Sequence, residues 1–151
     1  MALYDMRTSP NAARRGTSLI ELMLVITIIG LTSLIALRQA QQMLDRLATR
    51  DAVRSAAGIL SRAREDAVAQ HTPVSVRIDT GAATLELRSR YGPHARASLR
   101  STHGVSITTT RDSITYDVRG LGYGAANLTL VAKRGRSADT LVVSRLGRLR
   151  Y

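Results

Sequence analysis

From Leu19 to Leu37 the 151-residue chain is apolar apart from Glu21, Thr27, Thr32 and Ser33. As a helix rising about 1.5 Å per residue, residues 17–37 reach roughly 30 Å, the thickness of a bilayer's hydrocarbon core. Residues 1–16 are polar and carry Arg7, Arg14 and Arg15 against Asp5. Such a basic segment stays cytoplasmic, so the remainder faces outward. A secretory signal peptide fits poorly, because no small-x-small cleavage site closes the run and its apolar part is too long. A simple signal anchor accounts for the length and the arginines. It leaves Glu21 unexplained, since a carboxylate costs about 3 kcal/mol near the middle of a membrane helix and less near its end.

The order of residues before Glu21 supplies a reason. Arg14-Arg15-Gly16 followed by Thr17-Ser18-Leu19-Ile20-Glu21 resembles the class III signal of type IV prepilins and pseudopilins. The resemblance implies that a prepilin peptidase cuts the Gly16–Thr17 bond on the cytoplasmic side and methylates the new amino group of Thr17. A glycine at the cut lets the bare backbone approach catalytic groups closely. It further implies that Glu21, fifth after the cut, pairs with the free N-terminus of a neighbouring subunit during assembly. An anion buried beside a cation is tolerable, whereas removing one partner strands the other. Thr17 stands where the family most often has Phe. Arg38 stands where many pilins have proline after the Ile-Ala-Leu triplet, so no kink is implied there.

After the apolar run the pattern becomes amphipathic. Val53, Ala56, Leu60, Ala63 and Ala67 recur at spacings of three and four, one stripe along a helix. Arg54, Arg62, Arg64, Glu65 and Asp66 fill the gaps, and Arg62 and Asp66 are spaced to pair at i, i+4. With Gly58 as the one weak spot, one long helix is expected, ending before Pro73. The period then changes to two. Residues 74–88 read as a hairpin about the turn at 79–82, and 90–95 as a loop. Strand candidates follow at 96–100, 104–110, 113–118, 127–132 and 141–144, with a Gly-rich loop at 119–124 and a basic turn at 133–138.

"DAVRSAAGILSRAREDAVAQHTPVSVRI", "ITYDVRGLG" and the closing "LVVSRLGRLR" resemble the GspH/FimT family of minor pilins. The implied fold class is α+β: a long N-terminal α-helix, membrane-embedded in its first half, packed against an antiparallel β-sandwich-like head. The expected organisation is a leader at 1–16, removed; an assembly and membrane helix at 17–38; its amphipathic continuation at 39–70; and a β-rich periplasmic head at 71–151. The implied partners are other pseudopilins or pilins, the prepilin peptidase, the inner-membrane assembly platform and inner-membrane lipid.

Evidence for catalysis is lacking in the sequence. His71, His94 and His103 show no metal-ligand spacing and no accompanying carboxylate motif. Glu65 and Asp66 are adjacent on a helix, so their side chains diverge. "GLGYG" lacks the helix and lysine of a phosphate loop. No cofactor or metal is expected, and the absence of cysteine excludes disulfides and thiolate sites.

Charge is the remaining signal. The formal net charge is +11, carried almost entirely by arginine, with Lys133 the one lysine. Such a balance favours polyanions: nucleic acid, acidic lipid or an acidic protein face. Phe and Trp are absent, which argues against a stacking platform for single strands. At the C-terminus, Arg145, Arg148 and Arg150 lie in "RLGRLRY". If this segment is extended, Arg148 and Arg150 share a face roughly 7 Å apart, near the phosphate spacing of a nucleic-acid strand. Lys133, Arg134 and Arg136 are candidates to add to that field. "GRLR" is similar to the Gly-Arg-x-Arg tail with which FimT-type members bind DNA. The other expectation is that these arginines protect a strand edge. The leading functional expectation is a minor pseudopilin of the type II secretion pseudopilus. The alternative is a FimT-like minor pilin that binds incoming DNA.

Overall fold

The computed structural model describes residues 18–123 and 127–151. The leader and the processing bond between Gly16 and Thr17 lie outside the described residues. A single helix, α1, runs Leu19–Ala69 through Gly30, Arg38 and Gly58. Its apolar part up to Leu37 belongs to one compact unit and Arg38–Tyr151 to a second.

In the first unit, Leu19–Leu37 is exposed along its whole length and is long and apolar enough to cross a membrane. The hydroxyls of Thr27 and Thr32 are satisfied within the helix. Thr27 Oγ1 donates to the Met23 carbonyl at 2.8 Å, and Thr32 Oγ1 to those of Ile28 and Ile29 at 3.0 Å. Back-bonding of this kind leaves fewer polar hydrogens to be stranded in an apolar phase.

In the second unit, α1 buries Thr49, Ala52, Val53, Ala56, Ala57, Leu60, Ala63 and Ala67. All five residues of the expected stripe are among them. Small side chains dominate this buried face. The expected Arg62–Asp66 pair does not form. Among the described residues the ion pairs are Arg54–Asp51, Arg88–Glu86 and Arg134–Asp45. An exposed i, i+4 pair gains only a few tenths of a kcal/mol, which the entropy of two long side chains can cancel.

The strands are β1 (Val74–Asp79), β2 (Thr84–Ser89), β3 (Gly92–Ser98), β4 (Ser106–Thr109), β5 (Ser113–Tyr116), β6 (Leu128–Arg134), β7 (Ser137–Val143) and β8 (Leu149–Arg150). A short helix, α2 (Leu99–His103), follows β3. They form two four-stranded sheets, β3-β2-β1-β5 and β4-β6-β7-β8. Among the described residues every pairing is antiparallel. Alternate residues from both sheets, such as Val74, Val76, Leu85, Leu87, Leu130 and Leu141, join the α1 stripe in one hydrophobic core. The long helix packed against antiparallel sheets is the expected α+β fold.

Three local expectations are corrected. The loop expected at 90–95 shrinks to a turn at Arg90-Tyr91, and β3 begins at Gly92. Pro93 is tolerated because β3 is an edge strand. The register shifts there, with Leu87 opposite Ala95 and Arg88 opposite Pro93, so His94 is the extra residue of a bulge. The strand expected at 96–100 stops at Ser98, where the chain enters α2. Gly104 closes α2 in the left-handed conformation, at φ 66°. The basic turn at 133–138 also contracts to Gly135-Arg136, because β6 and β7 pair as far as Arg134 and Ser137.

Candidate assembly helix and basic C-terminal face

Glu21 lies in the first turn of α1 with its side chain exposed. The unsatisfied N–H groups of a helix start favour a nearby anion by a fraction of a kcal/mol. Glu21 takes part in none of the ion pairs among the described residues. The carboxylate therefore stands at the start of an exposed apolar helix without a counter-ion among the described residues.

The C-terminal segment is built by a turn and a short strand. The Gly147 N–H donates to the Ser144 carbonyl at 2.9 Å, and the Ser144 N–H donates to the Arg148 carbonyl at 2.9 Å. Gly147 has φ 71°. The chain then pairs with β7, Leu149 opposite Val143 and Arg150 opposite Val142. Leu149 packs against the core while Arg148 and Arg150 are exposed. Arg148, just before β8, and Arg150, at its end, are thus exposed on either side of the inward Leu149. Arg145 is exposed as well, and its carbonyl accepts the Gly122 N–H at 3.1 Å.

Arg148, Leu149 and Arg150 line a groove with Arg64, Glu65 and Val68 of α1. In the sequence Arg64 stood only as one of the charged residues between the stripe positions, not as part of the basic face. Its position beside the Ala63–Ala67 stripe and the glycines in "RGLG" and "RLGR" are the signals for it. A Cβ on Gly120 would lie 3.0 Å from Val68 Cγ2 and 3.1 Å from Arg64 Cγ, and a Cβ on Gly147 would lie 2.9 Å from the Gly120 carbonyl oxygen. Two glycine loops and the Arg64 side chain thus occupy one close-packed spot. Asp117 shapes the first loop, its Oδ1 accepting the N–H groups of Arg119 and Leu121 at 2.9 and 2.8 Å.

The basic residues of the β6–β7 turn do not join this face. Gly135-Arg136 is the turn at the start of β7, while β8 pairs at its end. Six residues of extended strand separate the two sites by about 20 Å, beyond the screening length of about 8 Å at physiological salt. Arg134 is committed elsewhere: its Nε lies 3.1 Å from Asp45 Oδ1 and its Nη1 donates to the His103 carbonyl at 2.7 Å.

The three histidines are dispersed. His71 follows α1 with φ 51°, His94 Nε2 meets Ser89 Oγ at 2.6 Å, and His103 ends α2. Asp79 Oδ1 accepts the Ala82 N–H at 2.9 Å within the β1–β2 turn.

No protein-family model matches the chain, and no curated protein matches it. Solved structures do. The chain is similar to the type IV minor pilin FimU of Pseudomonas aeruginosa, with a TM-score of 0.60 and 16% identity over 72% of this chain and 90% of that one. It is also similar to the minor pseudopilin EpsH from the type II secretion system of Vibrio cholerae, with a TM-score of 0.54 and 16% identity over 68% of this chain and 94% of that one. The chain has the type IV pilin-like fold shared by minor pilins and minor pseudopilins.

Proposed function

We propose that the chain is a pilin-like filament subunit, a minor pseudopilin of a type II secretion pseudopilus, with no catalytic role. The observation that carries this reading is α1 itself. Its first part is an exposed apolar helix with a carboxylate in the first turn, and its second part carries a buried small-residue stripe in a pilin-like head. In this reading Gly16 and Thr17 carry processing by a prepilin peptidase, with methylation of Thr17. Leu19–Leu37 anchors the precursor in the inner membrane, with the head in the periplasm. Glu21 carries assembly onto neighbouring subunits at the membrane platform. Co-expression with a prepilin peptidase tests it: Gly16→Ala should leave the chain uncut, and normal processing of that variant would sink the reading.

A second reading is supported by the exposed arginines on either side of Leu149 and their groove. Arg148 and Arg150, with Arg64 and Arg145 nearby, suit phosphate contacts without base readout, as in a DNA-binding minor pilin. A gel shift at two salt concentrations distinguishes it. Weak, salt-sensitive binding that disappears in Arg148→Ala/Arg150→Ala favours DNA uptake; equal behaviour of variant and wild type removes it.

A further inference from the structure

Beyond Leu37 the apolar character of α1 does not end at once. Met43, Leu44 and Leu47 remain 64%, 60% and 45% exposed, although they lie in the same unit as the folded head. Met43, Arg46, Leu47 and Arg50 recur at i, i+3, i+4 and i+7, one face of the helix. That face is not the one buried against the sheets, which begins at Thr49 and Ala52. It forms one wall of a groove whose other wall is the start of β7, at Ala138 and Asp139. A contiguous hollow sharing Gln42, Arg46 and Ala138 brings in Arg136 from the β6–β7 turn.

The charges in this groove are poorly balanced. Arg46, Arg50 and Arg136 belong to none of the ion pairs among the described residues. The neighbouring Asp45 is neutralised by Arg134, and Asp51 by Arg54. Among the described residues Asp139 is the one carboxylate lining the groove, and its Oδ1 accepts the Thr140 N–H at 2.9 Å. Three guanidinium groups thus face one carboxylate beside exposed thioether and leucine side chains. In sequence the groove opens at Gln39, two residues past the end of the apolar run.

We propose that this groove binds the headgroup of an anionic phospholipid. Arginine can lay its apolar stem along Met43 and Leu47 while its guanidinium donates to a phosphate in a forked geometry. An arginine held near any anionic lipid surface gains about fivefold in affinity, by the same electrostatics that draws basic segments to the cytoplasmic leaflet. The inference rests on the reading of Leu19–Leu37 as a membrane anchor. It adds a lipid-selective seat that would fix the head's approach to the bilayer before extraction into a filament. Asp139 and salt lower the ideal gain for three arginines, so the expected preference for anionic over zwitterionic lipid is about tenfold.

The test uses the full chain in uncharged detergent with equal amounts of phosphatidylglycerol and phosphatidylcholine, the retained lipid being read by native mass spectrometry. Wild type should retain phosphatidylglycerol about tenfold over phosphatidylcholine. The preference should collapse near 1 M salt, where the screening length falls to about 3 Å. Arg46→Gln/Arg50→Gln/Arg136→Gln should abolish it with an unchanged melting temperature, and Arg148→Gln/Arg150→Gln should not. A preference that survives the triple substitution overturns the proposal. So does competition by soluble glycerol phosphate at equal strength, which would mark a free-phosphate site, or retention seen only in self-associated chains, which would mark a second copy as the occupant. Insertion into vesicles is scored separately. Failure to insert removes the anchor and this inference together, whereas insertion without lipid preference removes only the inference.

Discussion

Arg134 of β6 reaches across to Asp45 of α1, Nε to Oδ1 at 3.1 Å, while its Nη1 holds the last carbonyl of α2, that of His103, at 2.7 Å. One side chain thus ties the N-terminal end of the packed part of the helix to the second sheet and to the short helix. The same carboxylate occupies the space that a Cβ on Gly135 would need. The pair is partly open to solvent, at 41% and 25% exposure, so the ion pair itself contributes less than about 1 kcal/mol. The charge-assisted hydrogen bond adds about as much again. Arg134→Ala should therefore lower stability by about 1–2 kcal/mol and the melting temperature by several degrees. Asp45→Asn, which keeps shape and part of the hydrogen bonding, should cost less. Melting curves of the full chain in detergent read the difference. Indistinguishable curves for Arg134→Ala and wild type would show that the tie is incidental.

The glycines divide into two kinds, and substitution should separate them. Gly120 and Gly147 have φ of 73° and 71°, and each faces atoms at or below 3.0 Å where a Cβ would go. Gly120→Ala and Gly147→Ala should each cost about 2–4 kcal/mol, from left-handed strain together with overpacking. Gly58 is exposed inside α1 with nothing near its Cβ position. Gly58→Ala should stabilise by about 0.5–1 kcal/mol through a better helix propensity. Chemical denaturation of the three variants gives the ranking. A destabilised Gly58→Ala would mean that the long helix has a structural need for a break there.

Glu21 gives a prediction that stability measurements should not see. Its side chain is exposed and makes no ion pair among the described residues, so Glu21→Ala should leave the melting temperature within about one degree of wild type. In the proposed function the same variant should be processed at Gly16 yet fail to enter filaments. Crosslinking of subunits in sheared-filament preparations checks the second half. Normal incorporation of Glu21→Ala would leave the carboxylate without a role in assembly.

Much of this architecture was legible because it depends on periodicity. The stripe from Val53 to Ala67 and the alternation of Val74, Val76, Ile78, Leu85 and Leu87 each have a period set by local geometry. What was hidden depends on partners distant in sequence. Pro93 lies in the stretch read as a loop, and only the position of β3 at a sheet edge makes it tolerable in a strand. α2 is too short for a period, and it is positioned by the hydrogen bond from Leu99 N–H to the Ala83 carbonyl. Arg134 and Arg136, two residues apart in one basic run, have opposite fates. The first is fixed by Asp45, 89 positions earlier, and the second remains on the turn. At the C-terminus the exposed pair Arg148 and Arg150 was readable from alternation, but the third cation of the groove, Arg64, reaches it through tertiary packing, hinted at only by the neighbouring stripe and glycines.

The alkaline limb of the stability curve should report on Tyr116. This side chain ends β5 only 1% exposed. Burial pushes its phenol from 10.0 up to about 12, and the nearby Arg64 guanidinium offsets part of that rise. Below pH 10 both folded and unfolded states keep the proton, so the phenol gives stability no pH dependence. Between pH 10 and about 12 the unfolded chain releases the proton while the folded chain holds it, and the unfolded state gains. Stability should fall by about 1.4 kcal/mol per pH unit across that window, about 2–3 kcal/mol in all. Above it the slope from this group vanishes. Tyr116→Phe removes the titration without removing the ring, so its stability curve should be flatter over the same interval, the exposed tyrosines being common to both proteins. Denaturation midpoints at pH 9, 10, 11 and 12 for the two proteins decide the matter. Equal slopes would mean that the phenol reaches water in the folded state and is not held above its ordinary range.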